Sequence, residues 1–252
     1  MKKFMVFAAA CAALVSFAAE TVFDGNEAEL WQSKRLSNVN GVIAGNVGYA
    51  VVKCKKMIPV TAGKKYVVSA EFRLIDPPAK APRLFFGFFP CTADGQEISF
   101  LSVTPAAKNI IKVVKDVNVG DKSIVLEGMP AWTPGQYCRL AFNVKEDKSD
   151  LPNFDVSPIP DWKNMKKNSD GNIEVTMKAP FTKAYAAGTT VRLHLAGNSY
   201  VYAGYPRVSG EWVKISKEIK DFYPGTTQIK LAFNAEAANC KVEIRNITVT
   251  EE

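Results

Sequence analysis

The sequence is poorest in the residues most enzymes need. Its 252 residues include one histidine, His194, set in VRLHLAG. A Ser-His-Asp triad, a two-histidine metal centre and a Cys-His dyad all need a histidine among partners from other elements, so a single one removes most such schemes. We read His194 as a strand-surface residue. The chain has no G-x-S-x-G, no G-x-x-x-x-G-K-[ST] and no G-x-G-x-x-G, which removes the nucleophile elbow and the nucleotide-binding loops. No two cysteines stand as C-x-x-C, the spacing that zinc and redox motifs use.

Long apolar runs are also scarce. The one early run, Phe4 to Phe17, is shorter than the ~20 residues a spanning helix needs. It follows Lys2 and Lys3 and ends at Ser16-Phe17-Ala18, so residues 1–18 read as a secretory leader. The expectation is an exported bacterial protein, periplasmic or extracellular, with no membrane span. The chain is basic, with a formal charge of +7, but the excess is spread in short groups such as Lys53, Lys55 and Lys56 or Lys163, Lys166 and Lys167. None of these is a basic arm interleaved with aromatics, so nucleic acid is not an expected partner; the groups read as solvated strand faces.

Without Cys11 of the leader, Cys54, Cys91, Cys138 and Cys240 remain. An oxidising compartment permits disulfides. Yet Cys54, Cys138 and Cys240 each share parity with apolar neighbours, where a thiol behaves as a small hydrophobe. Buried free thiols and a single bridge both fit; Cys54 to Cys240 is the bridge to test.

What the chain has in quantity is period-two alternation. In KKYVVSAEFRLI, Tyr66, Val68, Ala70, Phe72 and Leu74 share one face, with Val67, Ser69, Glu71 and Arg73 on the other. VTAG before it is a turn and DPPAKAP after it a stop. EWVKISKEI and TTQIKLAFN behave alike, and in CKVEIRNITVT the parity changes between Ile244 and Ile247, the trace of a β-bulge near Arg245-Asn246. In RLFFGFFP, alternation assigns Phe86 and Phe88 to a core and Phe85 and Phe89 to the opposite face, with Gly87 as a gap. Strands broken at short intervals by Gly, Pro and Asp predict an all-β, antiparallel fold. Residues 104–197 differ in texture, with short strand signals around a long polar loop. They read as an inserted small β-domain splitting a larger one, 19–103 plus 198–252.

VTAGKKYVVSAEFRL, RLFFGFFPCTADGQEI, EWVKISKEI and KVEIRNITVT, in that order, resemble the galactose-binding-like jelly rolls that serve as carbohydrate-binding modules in exported bacterial proteins. Gly63-Lys64-Lys65-Tyr66 through Ser69 and Arg73 carries the turn and strand pattern. Arg245 and Asn246 replace the aspartates usual in the final strand. The likeness covers about Thr21 to Val103 and Gly204 to Glu252 and implies a β-sandwich jelly roll. Gly120 to Leu126 and Ile173 to Val191 resemble small β-barrel modules of phage and bacterial surface proteins, so the insert is expected to be a small barrel. Neither resemblance supplies catalytic residues.

Aromatic rings stack on the apolar C–H faces of sugars while polar groups take the hydroxyls. The expected ligand-binding set is Phe85 and Phe89 with Glu71 and Arg73, together with Tyr200, Tyr202 and Tyr205 of NSYVYAGYP. Trp31 and Trp212 read as core anchors, and Trp132 and Trp162 as contact surface or lid. The expected function is non-catalytic glycan binding; the alternative is a surface-assembly protein with protein partners at the cell surface. An enzyme is not expected, the one open route being a carboxylate pair among Glu71, Glu97, Glu211 and Glu218. No cofactor is expected beyond a structural calcium at Asp24 and Asn26.

Overall fold

Alternating apolar residues can bury one side of a strand only if a second sheet covers it, and the chain folds to meet that condition. A computed structural model describes residues 19–107, 109–128 and 134–252. The leader and Trp132 lie outside them. Residues 20–103 supply β1 (Glu20–Asp24), β2 (Leu36–Val39), β3 (Val42–Val47), β4 (Val52–Lys53), β5 (Ile58–Pro59), β6 (Tyr66–Leu74), β7 (Leu84–Cys91) and the one-turn helix α1 (Phe100–Val103). The middle of the chain supplies β8 (Ile111–Lys112), β9 (Ser123–Leu126), β10 (Arg139–Phe142), β11 (Lys166–Lys167), β12 (Ile173–Thr176) and β13 (Thr190–His194). The last part supplies β14 (Val201–Gly204), β15 (Val213–Ile219), β16 (Gln228–Ala235) and β17 (Cys240–Glu251).

Two antiparallel sheets face each other. One runs β15-β6-β17-β3-β2, with β1 also on β17; the other runs β14-β7-β16-β4, with β5 also on β16. The inward row of β6 meets Phe86, Phe88, Leu231 and Phe233 of the facing sheet. The Phe72 ring lies 5.6 Å from Phe86 and 6.1 Å from Phe233. Burying each such side chain contributes about 1.5–3 kcal/mol. Trp31 is a core anchor as expected, 4.6 Å from Phe233, and its indole N–H donates to the Gly25 carbonyl at 3.0 Å. The parity change in β17 is a bulge: the register slips between Arg245 and Thr248, with Asn246 at φ 51°. That extra residue returns Ile247 and Val249 to the core beside Val242 and Ile244.

Residues of the middle stretch build two three-stranded antiparallel sheets, β10-β13-β8 and β11-β12-β9. Their core is a separate cluster that includes Ile124, Leu126, Leu140, Phe142, Phe181 and Val191. The expected small barrel does not form among the described residues. Among those residues the two sheets are linked by the single bridge Val113 to Leu126, and no ladder among their strands closes the ring. Trp162 is a core residue here and not a lid, its indole N–H donating to the Cys138 carbonyl at 2.9 Å. His194 is fully buried and not on a strand surface.

All four cysteines are free, so the Cys54–Cys240 bridge is absent. The two belong to different sheets: Cys54 donates its N–H to Leu231 of β16, whereas Cys240 pairs with Val47 of β3. Burial pushes both thiols up in pKa, away from the reactive thiolate. Among the described residues no helix is long and apolar enough to cross a membrane.

Candidate functional site

The four phenylalanines of β7 divide as alternation requires. Phe86 and Phe88 join the sandwich core, and Phe85 and Phe89 turn to the outer face of the five-stranded sheet. On that face the register sets Asn234 opposite Phe85, Ala232 opposite Gly87 and Lys230 opposite Phe89. Gly87 and Ala232 have almost no side chain, so the centre of the face is a shallow trough. Tyr200 lies over it: its ring stacks on Phe89 at 4.9 Å and 15°, and its hydroxyl donates to the Ala232 carbonyl at 2.6 Å. Burial pushes that hydroxyl well above the usual tyrosine range. A Cβ on Gly87 would overlap the Val201 carbonyl oxygen; glycine here is what lets β14 close against β7. Phe89 and Tyr200 are therefore packing residues, and the cover over them is the segment after the middle stretch.

The other half of the face is only partly covered, Tyr202 packing on Tyr200 at 4.6 Å. Phe85 lies 5.5 Å from Tyr202 and 6.0 Å from Tyr205, and Tyr202 and Tyr205 are 5.9 Å apart, so three rings form a triangle. Tyr205 is 54% exposed. Polar groups border the triangle. Asn198 donates from Nδ2 to the Tyr202 hydroxyl at 2.5 Å, and Asn234 stands opposite Phe85 with Tyr49 beside it, the latter 67% exposed. Beyond the Tyr200 cover, the Lys53 ammonium sits 4.0 Å over the Phe89 ring and bonds Glu97 at 2.6 Å, with Lys230 at 3.7 Å from the same carboxylate. Exposed rings with flanking amides can take the apolar face of a sugar and its hydroxyls together.

Five of the seven expected residues, Phe85, Phe89, Tyr200, Tyr202 and Tyr205, come together. Glu71 and Arg73 do not. They lie on the outer face of the other sheet, because the β6 residues of their parity point away from the sandwich. There Arg245 donates to Glu71 at 2.8 Å, Arg73 pairs with Glu243, and Trp212 stacks under both cations, 4.0 Å from Arg245 and 4.7 Å from Arg73. Arg245 foremost, and then the Asn246 side chain, hold the Glu71 carboxyl below its usual range. Trp212 is thus a surface ring and not a core anchor: Val213, one residue later, is the residue set opposite inward-facing Phe72. Asn198, Asn234 and Lys53 were missed as members of the face. Asn234 was legible by parity with Lys230, but Asn198 and Lys53 come from a loop and a two-residue strand with no pattern to read.

Glu71, Glu97 and Glu218 do not converge. Glu97 and Glu71 occupy outer faces of opposite sheets. Glu218 stands opposite Val67, four residues along β6 from Glu71, or about 13 Å, beyond the roughly 5–9.5 Å that acid and partner need in a glycosidase. At the expected calcium position, Asp24 accepts from the Asn26 amide and side chain, and the Asn26 oxygen accepts from Ile247 N–H. Both bonds to Asp24 fall on Oδ1. Among the described residues no group of three or more His, Cys, Asp or Glu side chains is placed to hold a metal. No family model, curated protein or solved structure matches the chain.

Proposed function

We propose that this is an exported, non-catalytic glycan-binding protein, a jelly-roll module of the galactose-binding-like kind carrying an inserted small β-domain, whose ligand rests on the triangle Phe85, Tyr202 and Tyr205. The observation that carries the reading is that Tyr205 stays exposed, with Phe85 and Tyr202 half-buried beneath it, on a sheet face whose remaining aromatics are sealed by packing. The three neighbouring rings present Tyr205 as the face on which a sugar ring would stack, with Asn198 and Asn234 as the polar groups bordering it. The separation of Glu71, Glu97 and Glu218 supports the non-catalytic part.

Affinity electrophoresis against a panel of neutral and acidic polysaccharides tests it. Retardation by at least one polymer is expected, with a loss of about tenfold in affinity in Tyr205→Ala, since a stacked ring contributes on the order of 1–3 kcal/mol in such sites. No retardation on any polymer, or full binding by Tyr205→Ala, overturns the proposal. The second reading, a surface-assembly protein, draws on Val119 and Tyr137 of the middle stretch, which are large apolar side chains left exposed. Concentration-dependent self-association in size-exclusion chromatography, abolished by Tyr137→Ser, would favour it.

A further inference from the structure

Parity along β7 extends the aromatic row by one residue upstream. Arg83 shares the side of Phe85 and Phe89, and on β16 Glu236 continues the side of Ala232 and Asn234. The guanidinium of Arg83 lies 5.9 Å over the Tyr205 ring and, at 4.0 Å, only at the limit of pairing with Glu236. Arg83 also bridges through its backbone to Arg207, which follows Tyr205 by two residues. Next to this point opens a cleft of about 270 Å³ lined by Lys80, Ala81, Pro82, Arg207, Glu236 and Ala237. One η nitrogen of Arg207 donates to the Ala81 carbonyl at 2.7 Å, which tethers one edge of the guanidinium and leaves the other donors to face outward.

The two ends of the aromatic face therefore differ in charge. At the Phe89 end, Lys53 and Lys230 converge on Glu97, which offsets one of their two charges. At the Tyr205 end, Lys80, Arg83 and Arg207 face one carboxylate, Glu236, that holds none of them closely. Arg83 beside an exposed ring and Arg207 across the backbone bridge from it together offer planar guanidinium forks for a carboxylate while the ring takes the apolar body bearing it.

We infer that the Tyr205 end of the face selects an acidic sugar, with a uronate carboxylate held by Arg83 and Arg207 while the pyranose stacks on Tyr205. This rests on the glycan-binding reading and narrows it from sugars in general to carboxylated ones. The test compares polygalacturonate with the neutral polymer made by reducing its carboxyl groups, so that the pair differs only in the acid function. The wild-type protein is expected to bind the acidic polymer about tenfold more tightly at low salt, with the preference shrinking as salt is raised. Arg207→Gln is expected to bring the affinity for polygalacturonate down to that for the reduced polymer, and Arg207→Lys to restore only part of it, because a point charge lacks the fork. Equal affinity for the two polymers, or a preference that survives the Arg83→Gln/Arg207→Gln double variant, overturns the inference and leaves the glycan-binding reading standing. Binding to neither polymer, nor to any other glycan, overturns both.

Discussion

The sandwich keeps its charges outside, whereas the middle stretch, residues 104–197, encloses some of its own. In the sandwich the core is rings and hydrocarbon, and ion pairs such as Arg245–Glu71 lie on an outer sheet face. In the middle stretch, Arg192 donates to Asp150 at 2.8 Å with the two side chains 2% and 6% exposed. Asp150 also accepts from Asn153 Nδ2 and the Lys145 amide. Burial by itself pushes the Asp150 carboxyl up, and these partners together with Arg192 outweigh it, holding the group below its usual range. The Arg192 Nε–H donates to His194 Nε2 at 3.0 Å. A guanidinium only donates, so Nε2 is bare and Nδ1 carries the proton, given to the Leu101 carbonyl at 2.6 Å. Leu101 belongs to α1, outside the middle stretch, and the neighbouring Ser102 carbonyl accepts from Asn153 N–H at 2.8 Å. An apolar core is indifferent to small rotations of its parts; a chain of directional bonds is not. The buried charges sit where the middle stretch is joined to the sandwich and fix the geometry of that joint.

The sharpest way to break the contrast is Asp150→Ala, which strands the Arg192 cation in the interior. It is expected to cost about 3–5 kcal/mol, read as a large fall in the thermal midpoint. Asp150→Leu combined with Arg192→Met should recover most of it, and a double variant as unstable as the single one would refute the explanation.

A smaller effect is expected with acid. Burial first, and then the Arg192 charge, lower the His194 pKa below the usual value, so the unfolded chain takes up its proton more readily than the folded one. The contribution of neutral His194 is therefore complete above the unfolded pKa of about 6.5 and is lost as the pH falls through the folded value, at about 1.4 kcal/mol for each unit between the two. Asp150, also lowered, acts in the same sense further down: its contribution is present above an unfolded pKa of about 3.9 and lost as the pH falls below that. Protonation would set an imidazolium N–H against the Arg192 N–H, with Asp150 as the buried counter-charge and Glu146 and Lys148 at the mouth of the neighbouring cleft. In denaturant melts between pH 7 and 5 the wild type should weaken, and His194→Gln should flatten that slope; an unchanged slope would show that another group titrates. The smallest effect belongs to the open face. Arg245→Gln should change stability by no more than about 1 kcal/mol, and a loss as large as that of Asp150→Ala would erase the distinction between the two regions.

Legibility followed the period of the pattern. Tyr66 to Leu74, the division of Phe85 to Phe89 into two rows and the bulge at Asn246 were all readable, since a strand states its own two faces. Phe85, Tyr202 and Tyr205 were each candidates, but not as one cluster, and grouping Glu71 and Arg73 with Phe85 and Phe89 was an error of sheet assignment: parity says that a residue points outward and not from which sheet. His194 and Trp162 were misplaced for a related reason. Their burial depends on partners distant in the chain, Leu101 and Cys138, and a polar side chain looks alike in sequence whether water or a carbonyl satisfies it.

Alternation alone determined that this chain is all-β, where its longest strands run and which of their side chains face inward, because the pleat ties side-chain direction to residue number. Only the tertiary structure decided that Tyr200 would seal half of the aromatic face and leave Tyr205 open, and that Arg192 would be buried while Arg245 was not. Those outcomes depend on which strands become neighbours and what then crosses over them, and a local period carries no information about either.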